Sequence, residues 1–305
     1  MKYLRDIGEH GFIRAIRERF PMASAGDDAA VLASLATPVI TTDSFFEGTH
    51  FHRWWASPDR LAARLLEATL SDIAAMGGEP QCVLSSVMLP PDMEVEWLLD
   101  FYRGLTSRSD CPVVGGETIK GSMFGVTLTA IGECGTRKPF LRSAVVPGDS
   151  IWVTGPLGRS LDSPELLEKG RGGELTELEQ EQTELFLSPS ARFDVIPVLG
   201  RCSVRAAIDI SDGLLSECGH LARESGVKIT VELEQVPLVP YAENNPVGAC
   251  CAGEDFELLF ALPTDAPSPG NGFYKVGSAS AGLGFVLTNR GKQIKTGSLG
   301  YDHFS

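Results

Sequence analysis

Residues 206–233 read AAIDISDGLLSECGHLARESGVKITVEL. Ala206 to Ile210 is short and apolar around a single acid, the composition of a strand. Turn residues follow in Ser211, Asp212 and Gly213. From Leu214 the apolar positions Leu214, Leu215, Cys218, Leu221 and Ala222 share one helical face, and Gly226 can end that helix. Lys228 onward is strand-like again. A strand, a turn, an amphipathic helix and a second strand in succession predict an α/β architecture.

The same style extends in both directions. IWVTG (151–155), FELLFAL (256–262), FYKVGSA (273–279) and GFVLTN (284–289) are strand-like, and the polar stretch EKGRGGELTELEQEQ (168–182) is helical material. Towards the N-terminus, PVITTD (38–43), CVLSSVML (82–89) and FGVTLTAIGE (124–133) read as strands. Helical spacing appears at Phe12, Ile13, Ile16 and Phe20, and again at Leu61, Leu65, Leu66, Leu70 and Ile73 behind Ser57 and Pro58, a capping residue and a first-turn proline. The pattern resets after GTRKPFLRSAVVPGDS (135–150). This places a domain boundary near 138–148 and predicts an N-terminal domain over 1–140 and a C-terminal domain over 141–305.

Lys and Arg total 26 against 40 Asp and Glu, a net charge of −14. Such a surface repels nucleic acid and anionic membranes. The charged start MKYLRDIGEH lacks the apolar core of a secretory signal, and no window approaches the roughly eighteen apolar residues a spanning helix needs. A cytoplasmic protein is expected. The 7 cysteines include no Cys-x-x-Cys pair, so reduced and mostly buried thiols are expected rather than disulfides or a zinc site.

Four segments set an Asp beside small or hydroxyl residues at the predicted edge of an element: GDDAAVL (26–32), TTDSFFEGTHF (41–51), TLSDIAAMGG (69–78) and DISDGLLSECG (209–219). Any one of them can be an ordinary turn or cap. A cap needs no second acid, however, and Asp209 sits in a strand whose neighbours Ile208 and Ile210 face the other way. Asp212 is placed to cap the helix at Leu214. Carboxylates at several loop edges, with Thr41, Thr42 and Ser211 nearby, suit magnesium, an oxygen-seeking ion that bridges acids to substrate phosphates. Soft metals are not suited, since no Cys or His cluster accompanies the acids. VVGGETIKG (113–121) reads as a strand followed by a glycine-rich loop; it lacks the Walker pattern, so a P-loop is not supported.

In order, GDDAAVL, TTDSFFEGTHF, TLSDIAAMGG, VVGGET, FLRSAVVPGD, DISDGL, GEDFELLF and GYDHF resemble the thiamine-monophosphate kinases, from about Gly8 to Phe304. These are relatives of aminoimidazole ribonucleotide synthetase, selenophosphate synthetase and the hydrogenase maturation dehydratase. The resemblance implies a two-domain synthetase-like fold of mixed sheets, with an N-terminal α/β domain that binds ATP and magnesium and forms a homodimer, and a C-terminal α/β domain. It implies transfer of the ATP γ-phosphoryl group to thiamine monophosphate by direct in-line displacement. It assigns several magnesium ions to Asp28, Thr41, Thr42, Asp43, Asp72, Asp209 and Asp212. Glu117 joins this set where the family carries Asp, one methylene shorter. The ATP phosphates fall to Gly116, Arg142 and Ser211, with Tyr102 against the nucleotide, and the substrate to His50, Glu254 and Tyr301. Asp43, Asp72, Arg142, Asp209 and Asp212 then form the catalytic set. Tyr102 also reads as an ordinary helix aromatic, and Tyr301 as a terminal anchor.

Overall fold

The computed structural model describes residues 2–20, 29–296 and 300. Asp28 and Tyr301 lie outside the described residues. The chain forms two compact units, Met1–Ile73 with Glu79–Thr136, and Ala74–Gly78 with Arg137–Ser305.

The first unit runs α1 (Leu4–Arg19), β1 (Pro38–Phe46), α2 (Pro58–Ala75), β2 (Glu79–Leu89), α3 (Val95–Leu105), β3 (Val113–Lys120) and β4 (Gly125–Glu133). Its 4-stranded sheet has the order β1-β4-β2-β3. β2 and β3 run parallel, while the other neighbours are antiparallel. Period-two alternation buries Val83 and Val87 of β2 and Val126, Leu128 and Ala130 of β4. Leu61, Leu65, Leu66 and Leu70 of α2 and Leu98, Phe101 and Leu105 of α3 complete the core. Gly132 lets α2 lie directly on the sheet, for a Cβ there would come within 2.4 Å of the Ile73 side chain. The opposite sheet face is open. Ile40 is 67% exposed and Ile119 48%, and hydroxyl pairs Thr42–Thr129 (3.0 Å) and Ser44–Thr127 (2.8 Å) cross between β1 and β4.

The second unit comprises β5 (Ser150–Val153), α4 (Ser163–Gly172), α5 (Glu177–Leu187), α6 (Ile196–Arg201), β6 (Ala206–Asp209), α7 (Leu214–Ser225), β7 (Lys228–Glu232), α8 (Pro246–Cys251), β8 (Leu258–Leu262), β9 (Tyr274–Ser280), β10 (Gly284–Asn289) and β11 (Lys292–Ile294). Its 7-stranded sheet has the order β11-β10-β7-β9-β5-β8-β6. A continuous apolar strand is one buried on both faces, and β8 fits. Leu259 and Ala261 join Ile151, Ile208, Leu214 and Ile229 in one core. Leu258, Phe260 and Leu262 join Phe140, Val195 and Leu199 in the other. Thr176 opens α5 with a reciprocal capping box to Glu179, and Gly226 closes α7 in the left-handed conformation at φ 65°.

The predicted strands and the Leu214 helix are all present. Three details differ from the sequence reading. Gly115 and Gly116 lie inside β3 and not in a loop after it. Asp43 and Asp72 come from within β1 and α2 and not from their edges. The N-cap of α7 is Gly213, not Asp212; buried Glu217 reaches back instead and accepts the Asp212 N–H at 3.3 Å. All 7 cysteines are free thiols. No described helix is long and apolar enough to cross a membrane.

Candidate functional site

In the first unit, alternation along β1 sends Thr41 and Asp43 to the helix-covered face and Thr42 to the open one. α2 brings Asp72 to meet the first two. The Thr41 hydroxyl donates to Asp72 Oδ2 at 2.5 Å. Asp43 has its pKa raised to about 6, by burial first and then by the negative charge of Asp72, against a lowering by the Thr69 hydroxyl. Two carboxylates held together at a half-buried place repel one another unless a cation intervenes. No group of three or more metal-ligating side chains occurs among the described residues. A pair suffices for magnesium, which keeps much of its water and completes its octahedron on substrate oxygens. The residues present fit that ion. The Thr42 hydroxyl, engaged with Thr129 on the other face, is not brought to the pair.

β3 supplies the next pieces. Parallel pairing sets Gly116 beside Ser85 and Glu117 beside Ser86. Gly116 has φ 156°, and a Cβ there would lie 1.8 Å from the Ser85 carbonyl oxygen, so only glycine permits this approach. Gly116→Ala is expected to cost about 1–3 kcal/mol or more through overpacking against backbone, read as a lower urea midpoint. Glu117 is exposed, and its Oε1 accepts the Thr118 N–H at 3.0 Å. Tyr102, buried in α3, stands edge-on to Phe12 of α1 at 5.9 Å. Burial raises its phenol pKa, with the Ser85 hydroxyl lowering it. Tyr102, Gly116 and Glu117 all line one cavity of about 780 Å³, within the usual range for small-molecule sites. His50 lies in the turn after β1. Its Nδ1 accepts the Phe46 N–H at 3.0 Å, which puts the proton of the neutral ring on Nε2, and its ring is edge-on to Phe45 at 5.9 Å.

In the second unit, β6 ends in Asp209, only 3% exposed. The loop that follows is zipped to residues 253–257. Glu254 N–H donates to Ser211 O at 2.8 Å, Phe256 N–H to Ile210 O at 3.0 Å, and Ile210 N–H to Glu257 O at 2.8 Å. Glu254 and Phe256 take left-handed φ values of 57° and 52° to make this register. Ser211, Asp212 and Glu254, assigned to three different tasks, are thereby neighbours. Gly300 packs against the same loop, since a Cβ on it would lie 2.1 Å from Asp212 O. Arg142 opens a single 3-10 turn whose carbonyl accepts the Ser225 hydroxyl at 2.7 Å. His220 of α7 feels both assigned charges: burial, Arg223 and Arg142 lower its pKa, and Asp212 opposes them.

Two acids next to Glu254 carry a network the sequence reading left unused. Asp255, 2% exposed, accepts the N–H groups of Gly158 and Arg159 through Oδ1, both at 2.8 Å. Burial pushes its carboxyl up to about 8 against the pull of those N–H groups and the Arg159 charge. Glu257, 1% exposed, accepts the Thr154 hydroxyl at 2.6 Å and Arg159 at 2.8 Å, and is also paired with Arg192. Ser160 Oγ donates to Gly253 O at 2.6 Å, tying the 158–160 turn to the segment that carries Glu254. The signal available was the acid alternation in GEDFE, but spacing alone does not say which acids turn inward.

The AIR synthase related protein N-terminal domain model matches residues 26–134, and the corresponding C-terminal domain model matches residues 146–295. The thiamine-monophosphate kinase of Aquifex aeolicus is 32% identical, over 99% of this chain and 99% of that protein. That of Leptospira interrogans is 33% identical, over 87% and 89%. Among solved structures, AaThiL complexed with AMPPCP and TMP is similar at a TM-score of 0.79 and 32% identity, covering 100% of this chain and 99% of that one. The hydrogenase maturation protein HypE of E. coli, at 17% identity and a TM-score of 0.71 over 94% and 95% of the chains, shares the fold.

Proposed function

The chain belongs to the AIR synthase related family, and we propose that it transfers the γ-phosphoryl group of ATP to thiamine monophosphate, giving thiamine diphosphate and ADP. One observation carries this reading: full-length similarity to a thiamine-monophosphate kinase whose neighbouring structure holds AMPPCP and TMP. The order and character of the acidic segments support it.

Phosphoryl transfer asks the protein to align donor and acceptor and to balance charge on the equatorial oxygens. ATP is a polyanion, the acceptor is itself an anionic phosphate and the chain is acidic, so cations are required to bring them together. Asp43 and Asp72 would hold magnesium, with Thr41 fixing the Asp72 carboxylate; Asp209, Asp212, Glu117, Thr42 and Asp28 are assigned to the same task by family resemblance alone. Bound magnesium supplies charge neutralisation and a template for the phosphate oxygens. Arg142 adds a guanidinium suited to a phosphate oxygen pair. Gly116 and Ser211 offer backbone and hydroxyl donors to the phosphates, and Tyr102 packs on the nucleotide. His50, Glu254 and Tyr301 hold thiamine monophosphate. The acceptor phosphate is ionised at neutral pH, so transfer runs in line without a general base or a phosphoenzyme.

The open sheet face of the first unit, with Ile40 and Ile119 exposed, supports a homodimer through that unit. Free thiols throughout support a cytoplasmic setting.

Purified protein incubated with ATP and thiamine monophosphate is expected to give thiamine diphosphate and ADP in equal amounts with magnesium, and neither with excess EDTA. Absence of thiamine diphosphate in the magnesium reaction overturns the reading.

A further inference from the structure

The cavity that gathers Tyr102, Gly116 and Glu117 has a fourth wall, contributed by α1 through Glu9, Ile13, Ile16 and Arg17. α1 is kinked at Gly8 (φ 67°), and it is anchored on either side of the kink. Leu4 N–H donates to Met93 O at 3.0 Å, Arg5 N–H to Pro91 O at 2.9 Å, and Arg19 pairs with Glu96 at 3.0 Å. Between these anchors Phe12 and Ile16 are buried, and Phe12 meets Tyr102 edge-on. The residues that follow on the helix are therefore presented at a fixed place. Arg17 is one of them.

The charge balance of the cavity makes Arg17 matter. Among its described lining residues Glu9 and Glu117 are acidic and Arg17 is the one cation. Arg17 forms no ion pair with a described residue, whereas Arg19 on the same turn is engaged by Glu96. Without Arg17 the charged side chains among the described lining residues are Glu9 and Glu117, in a chain of net charge −14, a poor host for an anionic ligand. A guanidinium can bind phosphate oxygens or lie over an aromatic base, and it stays charged at any physiological pH.

We propose that Arg17 is a nucleotide-binding residue, contributing affinity for ATP and not for thiamine monophosphate; this rests on the cavity being the nucleotide site. Arg14 is an internal comparison. It lies on the same exposed side of α1 and lines only a neighbouring hollow with His10, Ile13, Arg17 and Glu18, so it adds charge without touching the cavity. Both arginines are exposed, and replacing either leaves the core intact.

Steady-state kinetics on Arg17→Ala, Arg17→Lys, Arg14→Ala and Tyr102→Ala, with calorimetric binding of ADP as a readout free of turnover, tests the assignment. Arg17→Ala is expected to raise the KM for ATP and the Kd for ADP about 10-fold, with the KM for thiamine monophosphate and kcat within about 2-fold. Arg17→Lys recovers part of the loss, and Arg14→Ala changes nothing. Equal effects from Arg14→Ala and Arg17→Ala would reduce the role to the general surface field and overturn the proposal. If Tyr102→Ala weakens ADP and Arg17→Ala does not, the cavity reading stands and the proposal falls. If neither weakens ADP, both fall.

Discussion

Asp43→Asn is expected to lower the rate of thiamine diphosphate formation roughly 10²–10³-fold, the usual loss when one charge-stabilising group is taken from a transition state, with the folded protein unharmed. The argument is geometric. Thr41 spends its hydroxyl on Asp72, so Asp72 is fixed, and Asp43 faces it from the same side of β1. Each carboxylate alone is a weak ligand; together they form the charge a divalent ion needs. Asparagine keeps the volume and one acceptor but halves that charge. Without metal, the same replacement removes both the cost of burying a charge and the repulsion from Asp72 that together push the Asp43 pKa up to about 6. Melting in EDTA should therefore give a midpoint at or above that of the unaltered chain. Added magnesium should raise the midpoint of the unaltered chain, through ligand linkage, and raise that of Asp43→Asn far less. A variant that retains full turnover, or that melts lower in EDTA, would show that Asp43 is a structural acid and not a ligand.

Much of this architecture was legible because strands and amphipathic helices declare themselves within a few residues. The alternation through Thr41 and Asp43 and the helical face from Leu214 to Ala222 required nothing outside their own segments. The Gly115–Gly116 pair was misread as a loop because glycine pairs are commonest in turns. What distinguishes it is the Ser85 carbonyl oxygen on the neighbouring strand, where a Cβ would collide at 1.8 Å, and no local pattern reports a neighbour. The same holds for Thr41 and Asp72, which meet across 31 positions of sequence. Arg17 carried no signal at all: it is one of several arginines on a charged helix, and only the packing of Phe12 on Tyr102 turns its face towards a cavity. The short elements α6, α8 and β11 fall below the length at which periodicity can be counted.

Glu257 and Asp255 give opposite expectations although two positions apart and equally buried. Glu257→Ala is expected to destabilise the fold by roughly 3–5 kcal/mol, since it takes from Arg159 and the Thr154 hydroxyl their shared acceptor while Arg192 keeps Asp194 and the Thr154 carbonyl, and a buried pair broken on one side leaves an uncompensated charge, here that of Arg159. In a protein of this size that is a fall in melting midpoint of about 2–4 °C for each kcal/mol. Asp255→Asn is expected to cost far less near neutrality. The Asp255 carboxyl is pushed up to about 8, so at pH 7 it is held mainly as the neutral acid, and asparagine preserves the Oδ1 acceptor that two backbone N–H groups use. The pH dependence separates the two residues. Between the ordinary carboxylate value near 4 and about 8, the folded protein keeps a proton on Asp255 that the unfolded chain releases, so this residue's contribution to stability falls as pH rises through that window. Urea titrations at pH 5 and pH 8 should show the unaltered chain losing stability relative to Asp255→Asn as pH increases. Glu257→Ala should stay well below both at either pH. A variant of Glu257 as stable as the unaltered chain would mean that Arg159 finds water or another acceptor when it is removed, and that Asp255, Ser160 and Gln182 suffice to hold the 158–160 turn.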